Sequence, residues 1–257
     1  MLRIVADLGN SRLKWGRVDR TGNVVESLAL PNDDPEAWAG AWLRWNPAQR
    51  SSEWAITTVN PPVAEQFAAF LADRNIRETT WYRSAAEVPT RHQLDAPETA
   101  GADRALAVGA AVAMHPSGRP GLIVSCGTAI TVERVGPDGV WQGGAIAPGL
   151  ALSSRALHLL TAQLPLIIPC EAPPPWGRST RPALEAGLFW GVVGAIRELL
   201  TRQAVGLTPT PWLVWTGGDA SILASPIAWE GAVVVPDLVL NGLAQVAFAW
   251  KPSPNPL

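Results

Sequence analysis

Asp7-Leu8-Gly9-Asn10-Ser11-Arg12-Leu13-Lys14 follows the apolar run Leu2-Arg3-Ile4-Val5-Ala6. The pattern reads as a buried strand delivering a carboxylate into a tight glycine turn, from which a second strand leaves carrying a lysine. In such a turn the glycine lets backbone N–H groups approach a phosphate closely. Asp7 can hold hydrated Mg²⁺, and Lys14 can neutralise phosphoryl charge. The device recurs near mid-chain in Leu122-Ile123-Val124-Ser125-Cys126-Gly127-Thr128-Ala129-Ile130-Thr131. Each copy is followed by an Arg-Val pair (Arg17-Val18, Arg134-Val135) and a turn, Asp19-Arg20-Thr21-Gly22 or Gly136-Pro137-Asp138-Gly139. Two related strand–turn–strand units predict a duplicated domain with phosphates clamped between the halves. The alternative is two ordinary glycine hairpins.

Composition narrows the function classes. A chain of 257 residues with a net charge of −2 has room for a sizeable core and no basic field for nucleic acid or an anionic membrane. Its two cysteines, Cys126 and Cys170, make neither a disulfide framework nor a metal-type spacing. His92, His115 and His158 are scattered without ligand spacing, which argues against zinc. Asp7 interrupts the first apolar run, unlike a signal peptide, and no unbroken apolar stretch reaches membrane-span length. These features predict a soluble, cytoplasmic protein. Among 13 tryptophans, Trp38, Trp42 and Trp45 recur at the period of one helix face. No Arg/Lys cluster accompanies them, so the stripe reads as core or interface rather than a base-stacking platform.

Along the chain, residues 2–7, 12–19 and 23–30 predict strands. A helix follows from Asp33-Asp34-Pro35 to Trp45, then a strand within 51–59, a helix from Pro61-Pro62, and a strand near 79–82. Residues 83–100 are irregular, and the Ala-rich run after Gly101 is a helix ending at His115-Pro116-Ser117-Gly118. Arg119-Pro120-Gly121 marks the boundary, giving halves 1–118 and 119–257. The second half predicts strands at 121–126, 128–135 and 139–147 and a helix starting at Pro148. A Pro-rich flap at 165–177 follows, then a long helix capped by Thr180 and running from about Pro182 to Gln203. A strand at 211–215 ends in Thr216-Gly217-Gly218-Asp219-Ala220, where Asp219 suits an N-cap. A short strand (Val233–Val235), a helix from Leu238 to Trp250 and a loose tail after Lys251 complete the pattern. This alternation indicates an α/β protein with mixed sheets.

The order of the glycine turns is more specific than any one of them. DLGNSRLK (7–14), PETAGADRA (97–105), SCGTAIT (125–131), GGAIAPGL (143–150), GRSTRPALEAGLFWG (177–191) and TGGDA (216–220) together resemble the type III pantothenate kinases of the acetate/sugar kinase–Hsp70–actin superfamily. The resemblance spans essentially the whole chain. It implies two ribonuclease-H-like (actin-like ATPase) domains, each a mixed five-stranded sheet flanked by helices, with the active cleft between them. It also implies ATP- and Mg²⁺-dependent phosphorylation of the primary hydroxyl of pantothenate, the first step of coenzyme A synthesis, by a homodimer. Asp7, Leu8, Gly9, Asn10, Ser11, Arg12, Leu13 and Lys14 correspond to the first phosphate motif, with Asp7 near Mg²⁺. Gly127 and Thr128 belong to the second phosphate motif, and Gly217 and Gly218 match the adenosine-side turn. Gly101, Ala102, Asp103 and Arg104 match the pantothenate-binding run, with Asp103 at the proton acceptor's position; Thr180 matches a substrate-contacting threonine.

The chemistry asks for such residues. Phosphoryl transfer spreads charge over the phosphoryl oxygens, so catalysis is mainly positioning and electrostatic compensation. Asp103 would orient the attacking hydroxyl and accept its proton late, since a carboxylate is too weak a base to remove it early. Arg104 offers a fork to the substrate carboxylate. Taken alone, Asp103 equally suits compensation of a helix dipole, and Lys14 an exposed strand lysine.

Two positions depart from the family pattern. Ser125 stands where the family usually has an aspartate associated with a required monovalent cation, K⁺ or NH₄⁺. Leu94 stands where a substrate-facing tyrosine is frequent, the only tyrosine here being Tyr82. Two further readings therefore stay open: a non-catalytic nucleotide- or metabolite-binding regulator, since some family members are described as transcriptional activators, and a kinase for another small hydroxyl substrate.

Overall fold

The computed structural model describes residues 1–48, 50–115, 118–169 and 171–248. Cys170, Pro116, Ser117, Trp250 and the tail after Lys251 lie outside the described residues. Contacts divide the chain into two compact units, one built from Met1–Thr90, Asp95–Ala110 and the chain from Asp237 onward, the other from Arg91–Leu94 and Ala111–Pro236.

In the first unit, β1 (Leu2–Leu8), β2 (Arg12–Val18) and β3 (Val24–Pro31) form an antiparallel meander. After α1 (Pro35–Trp45), β4 (Ser52–Thr58) pairs parallel to β1; after α2 (Pro61–Ala72), β5 (Glu78–Tyr82) pairs parallel to β4. The sheet order is β3-β2-β1-β4-β5. Both helices start where the sequence indicates. Asp34 accepts from Ala37 N and Asn60 from Val63 N, each just before a proline that has no N–H to leave unsatisfied. The region expected to be irregular holds two short 3-10 turns, Ala85–Glu87 and Pro97–Thr99, and leads into α3 (Ala102–Ala113).

The tryptophan stripe is core. Trp38, Trp42 and Trp45 of α1 pack with Phe67 and Phe70 of α2 onto Trp15 and Trp54 of the sheet. Trp15 and Trp54 meet edge-to-face at 5.1 Å, a geometry that sets the positive ring edge against the negative face. Because strand side chains alternate, Ile4, Ala6 and Leu8 join this core while Val5 and Asp7 point to the other face.

The second unit repeats the plan. β6 (Gly121–Cys126), β7 (Ala129–Val135) and β8 (Trp141–Pro148) form the meander, followed by α4 (Leu150–Leu160) and α5 (Thr180–Ala204). β9 (Trp212–Thr216), α6 (Ala220–Ala224) and β10 (Val233–Val234) complete it. The order β10-β9-β6-β7-β8 is that of the first sheet read backwards, with β9 parallel to β6 and β10 parallel to β9. One face of this sheet is buried under α5 through Phe189, Val193 and Ile196.

Several boundaries differ from expectation. Pro148 closes β8 instead of opening a helix, because its neighbour Gly149 sits extended as the cap of α4. Ser179, not Thr180, occupies the cap of α5, and Thr180 is its first residue. Helix α6 starts after Asp219, where the sequence suggests a cap, but its five residues are too few to display a helical period. The 165–177 loop is tied down at Ile167, which exchanges hydrogen bonds with Ser154 Oγ, and at Pro173, whose carbonyl accepts from Trp190 Nε1 at 3.1 Å.

The last helix, α7 (Leu238–Phe248), falls in the half 119–257 of the sequence reading, yet it packs on β1, β2 and β4 of the first unit. Leu240 reaches the space above Gly16, and a Cβ on Gly242 would collide with the Leu106 backbone of α3, so α3 and α7 touch at close range. Both helices thus serve the face of the first sheet to which Asp7 points.

Candidate active site

Three strands present side chains at one level of the first sheet. Asp7 on β1 is paired with Lys14 on β2 and with Thr57 on β4, so the three share a face. Thr57 is fully buried, and its hydroxyl finds no hydrogen-bond partner among the described residues. Burial raises the Asp7 carboxyl from an ordinary 3.8 to about 7; the Asp103 carboxylate pushes the same way, and Lys14 pulls it back. Asp103, in the first turn of α3, therefore lies within charge range of Asp7 and also where the helix dipole favours an acid. Both readings of that residue fit its position.

Local chemistry fixes Asp103. Its Oδ1 accepts from Arg104 N at 2.9 Å and lies so near Gly101 that a Cβ there would collide with it. Gly101 itself bridges to Ser84, and the Ala100 carbonyl accepts from Ala85 N at 2.8 Å, which ties the start of α3 to the loop after β5. Glycine at 101 is what allows the carboxyl to fold back against the backbone.

The turn 9–12 is exposed at Asn10, Ser11 and Arg12. Its Gly9 carbonyl points inward and accepts from two side-chain amides, Asn32 Nδ2 at 3.0 Å and Asn60 Nδ2 at 3.4 Å. Sequence reasoning did not find Asn32 or Asn60 as neighbours of this turn. The Asn-Pro-Pro signal at 60–62 marks a helix cap but says nothing about a partner 51 residues away.

In the second unit, Ser125 occupies the level that Asp7 holds in the first, paired with Thr131 on β7 and Thr216 on β9. Where the first sheet carries a carboxylate and an ammonium, the second carries three hydroxyls. Thr131 Oγ1 is buried without a hydrogen-bond partner among the described residues, and Thr216 Oγ1 donates to the Pro236 carbonyl at 3.4 Å. Around the end of β6 two predicted turns meet. Gly127 is exposed, Thr128 O accepts from Gly149 N at 3.0 Å, and Cys126 O accepts from Asp219 N at 3.1 Å. Gly217 needs to be glycine twice over: its φ is +96°, and a Cβ would collide with the Cys126 carbonyl. Gly127, Thr128, Gly217 and Gly218 therefore form one cluster. Asp219 stands at the cap of α6, but its side chain makes no capping bond. Burial, with Asp219 adding to it, pushes the Cys126 thiol up to about 12.

The remaining predicted positions are spread over the units. Gly101–Arg104 belong to the first, whereas Leu94, which a side chain at position 143 would touch, and the exposed Thr180 belong to the second. Among the described residues no group of three or more His, Cys, Asp or Glu side chains could hold a metal, and no helix is long and apolar enough to cross a membrane.

A 3-2-1-4-5 sheet built twice, with a glycine turn after the first strand of each copy, defines the actin-like ATPase and sugar-kinase class of fold. The activator of 2-hydroxyisocaproyl-CoA dehydratase from Clostridium difficile, solved with ADPNP, superposes with a TM-score of 0.56 at 12% identity, covering 96% of this chain and 94% of that one. A Campylobacter jejuni protein assigned to the Baf family of transcriptional activators gives 0.61 at 18% identity, covering 95% and 96%. Likenesses this remote in sequence speak to the fold. The type III pantothenate kinase model matches residues 3–202. A type III pantothenate kinase of Alkalilimnicola ehrlichii is 36% identical over 261 residues, 95% of this chain and 97% of that protein. The chain belongs to the type III pantothenate kinase family.

Proposed function

We propose that the protein transfers the γ-phosphoryl group of ATP to the primary hydroxyl of pantothenate, giving 4′-phosphopantothenate for coenzyme A synthesis in the cytoplasm. The observation that carries this reading is the family membership, which spans nearly the full length of the chain, together with the placing of Asp103 close enough to Asp7 for its charge to act on that carboxyl.

In this reading Gly9 to Arg12 present backbone N–H groups to the phosphates, and Lys14 supplies positive charge. The cluster of Gly127, Thr128, Gly217 and Gly218 is the nucleotide-binding element of the second unit. Mg²⁺ typically takes one or two carboxylates plus phosphate and water oxygens, so a site without a third acid fits it. Asp7, a carboxyl made reluctant to ionise by burial and by Asp103, is the residue to hold that ion, and the ion would neutralise charge on the phosphates. Asp103 accepts a hydrogen bond from the pantothenate hydroxyl, aims it at the phosphorus and receives its proton late in the transfer. Arg104, Leu94 and Thr180 belong to the pantothenate side. Ser125, Thr131 and Thr216 offer only neutral oxygens, so a monovalent cation has a weaker hold here than beside an aspartate.

A homodimer follows from the same family reading. An apolar groove of ≈ 270 Å³ lies against α4 and α5, lined by Ile130, Leu157, Leu184, Leu188 and Val192 among others. Nearby on α4, Leu159 is 75% and Leu160 84% exposed, apolar surface of the kind that marks an interface. The test is a coupled ADP-release assay with and without pantothenate and Mg²⁺, with mass spectrometry of the product. Phosphopantothenate formed only when both are present supports the reading, and binding of ATP without turnover refutes it.

A further inference from the structure

We infer that Asn32 and Asn60 are positioning residues that aim the first glycine turn at the nucleotide's phosphates. This inference rests on the kinase reading of that turn and adds two residues from outside it.

In a trans amide the C=O of one residue and the N–H of the next point in opposite directions, and the Gly9–Asn10 bond is trans. Turning the Gly9 carbonyl inward therefore turns the Asn10 N–H outward. A carbonyl oxygen has two lone pairs, and here two amide donors from 23 and 51 residues further along the chain reach it, Asn32 Nδ2 at 3.0 Å and Asn60 Nδ2 at 3.4 Å. With both in place the carbonyl is satisfied within the fold. Without them, rotation of that peptide would bring a partial negative charge round to the side from which phosphate approaches and would remove a donor from it.

Neither residue is explained by local folding alone. Asn32 Oδ1 is buried and has no hydrogen-bond partner among the described residues. Stranding a buried acceptor costs more than a neutral hydrogen bond returns, so Asn32 is a poor choice for stability alone. Asn60 has a second task, since its Oδ1 caps α2 through Val63 N at 3.3 Å while its backbone N–H donates to Thr58 Oγ1 at 3.1 Å. One amide thus joins the cap of α2 to the turn, and the remaining chain link is Val59 N donating to Leu8 O at 3.4 Å. The turn is held from β3's end by Asn32 and from α2's start by Asn60.

The two tasks of Asn60 can be separated. Serine caps a helix about as well as asparagine but is too short to reach Gly9. Asn60→Ser should leave the melting temperature near that of the wild type while weakening nucleotide binding. Asn32→Ala removes the first donor, and Asn32→Asp replaces it with a carboxylate facing both the carbonyl and the phosphates, so Asn32→Asp should be the weaker binder. The measurements are Mg-ADP affinity by calorimetry and the KM values for ATP and pantothenate. The expected result is a loss of about tenfold in ADP affinity and a matching rise in the KM for ATP for Asn60→Ser or Asn32→Ala, the order of one charge-assisted hydrogen bond. The kcat and the KM for pantothenate should move by less than about threefold, since the chemistry at Asp103 is untouched. Folded Asn60→Ser and Asn32→Ala proteins that bind ADP within twofold of wild type overturn the inference and leave the kinase reading standing. A wild-type chain that does not bind ADP overturns both. ADP binding without phosphopantothenate formation removes the kinase reading alone, and the affinity ratios still decide the role of the two asparagines.

Discussion

Replacing Asp7 with asparagine should stabilise the metal-free protein while abolishing its activity. The Asp7 carboxyl titrates at about 7 in the fold against an ordinary 3.8. The folded state therefore binds this proton more tightly than the unfolded state does. As pH rises through the window between the two values, the unfolded chain has already released the proton and the folded one has not, so stability falls. A carboxyl raised that far costs the fold roughly 4 kcal/mol once the pH exceeds 7, shrinking to about 1–2 kcal/mol at pH 5. Asparagine keeps the shape and cannot ionise, so the variant escapes the penalty. Lost attraction to Lys14 reduces the gain, and about 2 kcal/mol at pH 8, or roughly 4–8 °C in melting temperature, is a fair expectation. Calorimetric melting of both proteins at pH 5, 6, 7 and 8 without divalent ions measures it. Added Mg²⁺ should then narrow the gap by stabilising the wild type only. A variant less stable than the wild type at pH 8, or a difference that does not change between pH 5 and 8, would show that the Asp7 carboxyl is not held protonated by its burial.

Asp103→Asn should lower kcat by about 10²–10⁴-fold with Mg-ADP affinity within a fewfold, read by steady-state kinetics and calorimetry; a rate within a fewfold of wild type removes Asp103 from the chemistry. Potassium or ammonium should stimulate the wild type only weakly, and Ser125→Asp should create a clear cation response in a titration of rate against KCl; an unchanged response shows that the hydroxyl row at 125, 131 and 216 is not where a cation acts. Cys126 should resist alkylation by iodoacetamide at pH 8 in the native protein and react once unfolded, because its thiol is fully buried and titrates near 12; rapid native labelling, followed by mass spectrometry, would contradict that burial.

What could be read beforehand was local and periodic. Strand alternation, the two glycine turns, the Asp34-Pro35 and Asn60-Pro61 helix starts and the Trp38, Trp42, Trp45 stripe each act over a few residues, and the structure places them as expected. What could not be read joins distant parts of the chain. The return of α7 to the first sheet depends on Leu240 meeting Gly16 and Gly242 meeting Leu106, which no window of sequence displays. The same holds for Asn32 and Asn60 on the Gly9 carbonyl and for the level at which Ser125, Thr131 and Thr216 align, a consequence of strand register. Thr180 and Pro148 were displaced by one or two positions because Ser179 and Gly149, both extended, are the residues that stop one conformation and start the next.

Purified protein incubated with ATP, Mg²⁺ and pantothenate should yield one ADP per 4′-phosphopantothenate by mass spectrometry, with no ADP above background when pantothenate is left out. Tight ATP binding accompanied by no phosphopantothenate, under any monovalent salt, would show that the chain is not a pantothenate kinase.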